Sequence, residues 1–422
     1  MRAGGKLNLC DMVQSNAFVA VDANWDSARE IYGALATYLP GVLIEAREWS
    51  QTWRAGWLKS GQMRLRQLKQ GLWCKRYALP MGWFHSLNRV SMPLLGKSVA
   101  HQCTSAFGQP PAVWIFSSPY YLRMLEAVQP EFAVYHPVDD YRWYWPRLAA
   151  RTARLEAAMV LRANLVVCVS RYNRDRLRKM CPDDPGKVVH VPNGAPERFY
   201  QEPDHSSVAR WGARFAAFPR PLFAYLGDPV KRVDFGMVRA LAVAMTGTIL
   251  FAGPERLPEP LCQHKNIRAI GSVPREEAPA FLQAVDVLLI PQEDSEFNRA
   301  TSPKKLWEYC ASGKPIVGAC LTEVDPTTDG ICVASSEAEF VRYALELAGG
   351  GNTAPEREAR QRLAQSHTYP ALAHRLFDHL VARRPGLVNS EALSTPGSEL
   401  AEGALPGETR TGAATRGPRV TS

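Results

Sequence analysis

The chain has 422 residues, 46% of them hydrophobic, which is enough for two packed domains and a tail. No apolar run nears the roughly 20 residues of a transmembrane helix, the opening MRAGGKLNLCDMVQSN is too polar for a secretory leader, and nine scattered cysteines without a C-x-x-C pair argue for a reducing compartment and against a disulfide framework or zinc site. The net charge of +9 is concentrated rather than spread.

In chain order, 16–22 reads as a first strand, Trp25-Asp26 as the loop after it, 27–38 as a helix and 42–46 as a second strand. Between Glu48 and Glu126 there is no acid, against ten bases: Arg54, Lys59, Arg64, Arg66, Lys69, Lys75, Arg76, Arg89, Lys97 and Arg123. Leu58, Leu65, Leu68 and Leu72 follow helical spacing there, with Trp53, Trp57, Trp73 and Trp83 among the bases. Over 49–108 this predicts one or two basic amphipathic helices with aromatic anchors. Such helices lie in a membrane interface, where each base near an anionic surface adds about 1 kcal/mol. A solvated insertion accounts for the same pattern. A nucleic-acid surface fits less well, because no nucleic-acid motif accompanies the bases.

Strands follow at 112–117 and 132–135, and the second ends in His136-Pro137-Val138-Asp139-Asp140. A strand end carrying an imidazole and two carboxylates is the most reactive-looking place in this half. Either aspartate also suits a helix cap. A strand at 165–169, a cap at Ser170, a helix at 171–180 and a strand at 188–191 lead to Pro192-Asn193-Gly194. The polar stretch 198–221 reads as an irregular linker.

From 222 to 333 strands and helices alternate, which argues for a parallel doubly wound sheet. Gly227 follows the first strand, with Lys231 and Arg232 close behind, and Gly271-Ser272-Val273-Pro274 forms a later turn. The strand 287–290 stops at Pro291. After a polar loop, Ser302 is an N-cap candidate and Pro303 suits the first helical position. Gly313 ends that helix, and Lys314-Pro315 prevents continuation. A helix N-terminus at the carboxyl end of a strand, beside Lys304 and Lys305, favours a phosphate. Glu308 shares a helical face with Lys304 and is placed to accept from ribose or sugar hydroxyls. A capped surface helix with an i, i+4 ion pair is the plainer account of the same residues. Helices at 337–347, 355–366 and 370–381 follow, and from 384 the composition is that of a disordered tail.

The run SPKKLWEYCASGKPIV, at 302–317 behind VDVLLIP, resembles the donor-site segment of group 1, family 4-like glycosyltransferases of the GT-B fold, of the bacterial polysaccharide and cell-envelope type. NLVVCVS, followed by VVHVPNG, is a second match. The resemblance implies an α/β chain of two Rossmann-like, doubly wound parallel-sheet domains facing a cleft. Residues 1–195 would bind the acceptor and carry the basic segment 49–108. A linker (196–221), a nucleotide-sugar domain (222–368), a crossover helix (369–384) and the tail (385–422) would follow. It further implies a UDP- or GDP-linked sugar held by Gly227, Lys231, Arg232, Val273, Ser302, Lys304 and Lys305, with Glu308 on the ribose. Trp25 and Asp26 would sit on the cleft loop, and His136, Asp139 and Asp140 would serve catalysis. Transfer with retention, without metal or cofactor, to a saccharide or lipid-linked acceptor is the expected reaction. The expected location is cytoplasmic, peripheral on the inner membrane face through 49–108, with no nucleic-acid partner. Relatives carry another glutamate eight residues before the one matched by Glu308. Here that position is Ala300, which leaves the donor sugar unnamed. A GT-B nucleotide-sugar epimerase and a catalytically silent sugar-nucleotide-binding scaffold are the alternatives.

Overall fold

The computed structural model describes residues 17–23, 25–54, 63–229, 232–253, 256–257 and 259–387, apart from the side chains of Asp26, Arg54 and Pro260. The first lobe runs β1 (Phe18–Val21), α1 (Asp26–Leu35), β2 (Gly41–Glu48), α2 (Trp49–Arg54), β3 (Arg66–Lys69), β4 (Leu72–Leu79), α3 (Asn88–Phe107), β5 (Val113–Phe116), α4 (Leu122–Val128), β6 (Phe132–Tyr135), α5 (Ala149–Arg162), β7 (Leu165–Cys168), α6 (Arg171–Arg178) and β8 (Val188–His190). Its eight strands lie in the order β3-β4-β2-β1-β5-β6-β7-β8. Only the β3–β4 pair is antiparallel. The second lobe runs α7 (His205–Phe215), β9 (Leu222–Leu226), α8 (Phe235–Ala244), β10 (Thr248–Ala252), α9 (Glu259–Cys262), β11 (Ile267–Gly271), α10 (Ala278–Gln283), β12 (Val287–Pro291), α11 (Glu296–Arg299), α12 (Lys304–Ser312), β13 (Ile316–Ala319), β14 (Cys332–Ala334), α13 (Glu337–Ala348), α14 (Ala354–Gln365) and α15 (Tyr369–Arg383). Its six strands are all parallel, in the order β11-β10-β9-β12-β13-β14.

The central strands FVAV, VWIF, FAVY and LVVC are buried at every position, because helices cover both sheet faces. Each sheet therefore has a core on either side. The strand order reverses between β1 and β5 in the first lobe and between β9 and β12 in the second. Open α/β sheets bind ligands at such switch points, outside the carboxyl ends of the strands. Helix α15 returns to the first lobe. Its Leu372, Leu376 and Leu380 are buried with Ile31, Tyr32 and Leu35 of α1, and Phe377 stacks on Tyr38 with 4.7 Å between ring centroids. The two interlobe connections run side by side, with Ala195 N donating to His367 O at 3.2 Å. Gly194 permits this approach, since a Cβ there would stand 2.2 Å from that carbonyl oxygen.

Two expectations are corrected. The described part of 49–108 is not a pair of amphipathic helices. Leu68 and Leu72 belong to a β-hairpin, and only α3 is a long helix. The leucine spacing fits a helix and a hairpin equally over so few turns, and Gly71, at φ 74°, makes the turn. Leu58 lies outside the described residues. Nor is 196–221 irregular. Asp204 caps α7 by accepting from Ser206 N and Ser207 N, and Trp211 and Phe215 pack on Phe281 of α10. Two aromatics four residues apart were the overlooked signal. The tail from 388 onward lies outside the described residues.

Candidate active site

On the second lobe, the switch point brings three sequence candidates together. Gly227, directly after β9, has φ 122°, a conformation that favours glycine. A Cβ there would lie 3.3 Å from the Lys305 ammonium. That ammonium sits 3.5 Å from the centroid of the Tyr225 ring. Burial, then the neighbouring Arg232 charge, lowers its pKa to about 7. The Arg232 guanidinium stacks on Phe297, 4.6 Å from the ring centroid. Its backbone carbonyl is fixed by Glu293 N (2.9 Å) and Asn298 Nδ2 (3.0 Å). A buried ammonium whose charge is disfavoured by a neighbouring guanidinium makes a site that gains from an anion. Lys231 lies outside the described residues.

Lys304 opens α12, and Glu308 follows one turn on. Both line a cavity of about 200 Å³ between the lobes, together with Leu226, Val273, Arg275, Arg198, Ser27 and Tyr369. Burial raises the Glu308 pKa, while the charges of Lys304, Arg198, Lys305 and Arg275 pull it back. Arg198 and Arg275 were not singled out by sequence. Arg198 lies in the stretch read as linker, and Arg275 stands directly after the turn that holds Val273.

Ser302 differs from its expected role. Pro303 occupies the cap position and makes no side-chain cap. The Ser302 hydroxyl instead accepts from Asn193 N (3.2 Å) and Trp307 Nε1 (3.3 Å), and Asn193 Nδ2 donates to Ser302 O at 2.7 Å. Ser302 is thus part of the joint between lobes. The joint continues through Ala300, which is buried. Its carbonyl accepts from Ser170 Oγ (2.9 Å) and Asn173 Nδ2 (3.0 Å) of the first lobe. Glu323 accepts from Arg171 N at 2.9 Å and pairs with His190 at 2.8 Å.

On the first lobe, the structure separates the two aspartates. Asp140 is fully buried, accepts from Arg142 N (3.1 Å) as a cap, and takes the Arg142 guanidinium on both oxygens. Although burial opposes ionisation, the Arg142 bonds and the Arg176 charge hold its pKa below the usual carboxylate range. Both oxygens are engaged by Arg142, which gives Asp140 the part of a cap and ion-pair partner. Asp139 instead faces the second lobe. Tyr144 OH donates to Oδ2 at 2.6 Å, and burial raises its pKa against the pull of Arg232 and Lys304 across the cleft. His136, at the end of β6, is buried. Its Nδ1 lies 2.9 Å from Tyr32 OH, and its Nε2 is buried without a hydrogen-bond partner among the described residues. Trp25 packs edge-on against it at 5.8 Å. The Asp26 side chain lies outside the described residues.

No family model matches the chain. Over 239 residues it is 23% identical to TuaH of Bacillus subtilis (strain 168), a protein named for glycosyl transfer in teichuronic acid biosynthesis, with 53% of this chain and 58% of that protein covered. The chain thus spans little more than half the length of that curated relative. Among solved structures it is similar to a sucrose-phosphate synthase from Thermosynechococcus elongatus, at TM-score 0.65 and 12% identity, covering 87% of this chain and 99% of the other. It is also similar to HepE of Anabaena, solved in complex with UDP and glucose, at TM-score 0.62, 12% identity and the same coverage. A UDP-forming trehalose-phosphate synthase from Burkholderia xenovorans aligns at TM-score 0.57 and 12% identity, covering 89% of this chain and 100% of that one. Two doubly wound lobes, a crossing C-terminal helix and these likenesses give one conclusion: the chain has the GT-B fold of glycosyltransferases.

Proposed function

We propose that the chain is a glycosyltransferase, moving a sugar from a UDP- or GDP-linked donor to a saccharide or lipid-linked acceptor in polysaccharide or cell-envelope assembly. The observation that carries this is the pairing of Lys305 with Arg232 at the β9/β12 switch point, one helical turn from Glu308. In this account the diphosphate lies against Arg232, Lys305 and the start of α12. Glu308, in the adjoining cavity, holds the ribose near Val273. Charge grows on the leaving diphosphate, so these cations act mainly in the transition state. The same cations take the role a metal ion has in other transferases, and turnover is expected to survive chelation. In this account Asp139 contacts the acceptor hydroxyl, and transfer retains configuration. Relatives that bind UDP and UDP-glucose on this fold support a uridine donor. Release of nucleoside diphosphate from a panel of nucleotide sugars, with and without saccharide acceptors, tests the proposal. Absence of turnover with every donor would favour the silent-scaffold alternative. Free epimer without acceptor would favour the epimerase.

We further propose that the first lobe rests on an anionic membrane surface, at the inner membrane face. The support differs from that expected of amphipathic helices. Trp49 and Trp53 on α2, Met81 and Leu87 in the next connection, and Val90 and Leu94 on α3 are all exposed, Trp53 by 75% and Met81 by 79%. The exposed Lys97 continues the Val90–Leu94 face at helical spacing, and Arg89 lies beside it. Exposed apolar groups rimmed by bases suit an interface. No helix among the described residues is long and apolar enough to cross a membrane. Wild-type protein is expected to sediment with phosphatidylglycerol vesicles at low salt, and Trp49→Ala/Trp53→Ala to do so at least tenfold less. Equal sedimentation of the two would remove this surface.

A further inference from the structure

We infer that Tyr32 is a positioning residue that locks His136 as its Nε2–H tautomer, so that His136, with Trp25 beside it, offers N–H donors to an oxygen of the substrate. The assignment deepens the glycosyltransferase proposal and rests on it only for the identity of that oxygen.

The observations are geometric. Tyr32 and His136 are each 1% exposed, and Tyr32 OH lies 2.9 Å from His136 Nδ1. The imidazole is the hydroxyl's only hydrogen-bond partner among the described residues. His136 Nε2 is buried without a partner among the described residues. A phenol has one hydrogen to give, and a neutral imidazole has one N–H and one lone pair. If Tyr32 donates to Nδ1, a single group is left unmatched, the N–H on Nε2. If Nδ1–H donates to Tyr32 instead, two groups are left unmatched, the phenol hydrogen and the Nε2 lone pair. Buried polar groups are rarely left without partners, so the first arrangement holds. The imidazolium form is disfavoured by burial, which lowers the His136 pKa to about 4. The titratable groups around the ring are Tyr32 on α1 and, beyond it, Asp22 at the end of β1, which acts on Tyr32.

Trp25 supplies the second observation. Its indole Nε1 is also buried without a partner among the described residues, and its ring meets both His136 (5.8 Å) and Tyr32 (5.9 Å) edge-on. Two rings 5.8 Å apart, each with a buried nitrogen that lacks an acceptor among the described residues, suit oxygens supplied by a ligand. This gives His136 a role different from acceptor activation. A nitrogen that already carries the proton cannot take another from a hydroxyl. His136 holds and orients the sugar, and Asp139 remains the cleft carboxylate able to receive a proton.

The test is nitrogen NMR of the full chain labelled with [15N]histidine, with the His136 signals identified by their loss in His136→Gln. The expected wild-type result is a single Nε2–H tautomer, unchanged from pH 5.5 to 8, with both tautomers appearing in Tyr32→Phe. A wild-type Nδ1–H tautomer, or titration within that range, would overturn the inference. Neither measurement needs a donor or an acceptor, so the result stands apart from whether the chain transfers sugar. In turnover, His136→Gln keeps a donor near the Nε2 position and is expected to fall at least tenfold less than His136→Ala. Equal loss in the two variants would overturn the donor role.

Discussion

Replacing Lys305 with Met is expected to stabilise the empty protein while weakening its hold on a nucleotide sugar. The lysine pKa falls from 10.5 to about 7 on folding. At 1.36 kcal/mol per unit, keeping this ammonium charged in the fold costs about 5 kcal/mol. At pH 7 half the folded molecules have already lost the proton, and about 4 kcal/mol remains. The contact with Tyr225 returns ~1–2 kcal/mol of that. Met keeps the chain length without the charge, so Lys305→Met should gain roughly 2–3 kcal/mol at pH 7. The sign follows from the lowered pKa. The penalty is complete below pH 7 and fades as pH rises from 7 towards 10.5, so the advantage of Met shrinks over that window. Urea unfolding of both proteins at pH 6.5, 8 and 9.5 measures it. A bound diphosphate would draw the proton back onto Lys305, so donor affinity should be level below pH 7 and decline above it in wild type but not in Lys305→Met. A less stable Lys305→Met, or unchanged donor affinity, would refute the idea that this lysine is held charged for an anion.

Arg232→Ala should lower kcat by about 10²-fold or more with a smaller change in KM, because its charge acts chiefly on the leaving diphosphate; equal losses would assign it to ground-state binding. Ser170→Ala/Asn173→Ala leaves the buried Ala300 carbonyl with neither of its side-chain donors, and should cost about 1–3 kcal/mol in urea unfolding. A neutral result would mean that this joint does not hold the lobes. Gly194→Ala places a methyl against the His367 carbonyl and should cost ~1–3 kcal/mol or more, with no cost if the connection can shift aside.

Much of this architecture was legible in the sequence because parallel strands buried on both faces are written as unbroken apolar runs. Phe132–Tyr135 and Val287–Pro291 lie within a residue of where they were expected. The hairpin was not, because β3 is an edge strand of four residues, RQLK, whose single apolar side chain gives little period-2 signal in sequence even though its burial alternates. The site was legible where one motif holds several of its parts, as with Lys304, Lys305 and Glu308. It was not where the fold assembles parts from distant segments. Nothing in the spacing of Tyr32 and His136, or of Arg198 and Glu308, announces that they meet. The roles of adjacent residues were equally hidden. Asp139 and Asp140 look alike in sequence, and only the turn back of Arg142 onto Asp140 tells the cap from the cleft carboxylate. Ser302 reads as a cap by every local rule, yet its hydroxyl is taken by Asn193 from the other end of the joint.

The central claim is that a nucleotide sugar binds between the lobes with its ribose on Glu308. Isothermal titration of UDP, GDP, ADP and dTDP, and of their glucose conjugates, into wild type and Glu308→Ala tests it most directly. The account predicts saturable binding of one nucleotide family to wild type, and a loss of at least tenfold in Glu308→Ala. Binding that survives Glu308→Ala unchanged, or no binding of any nucleotide to wild type, would contradict it.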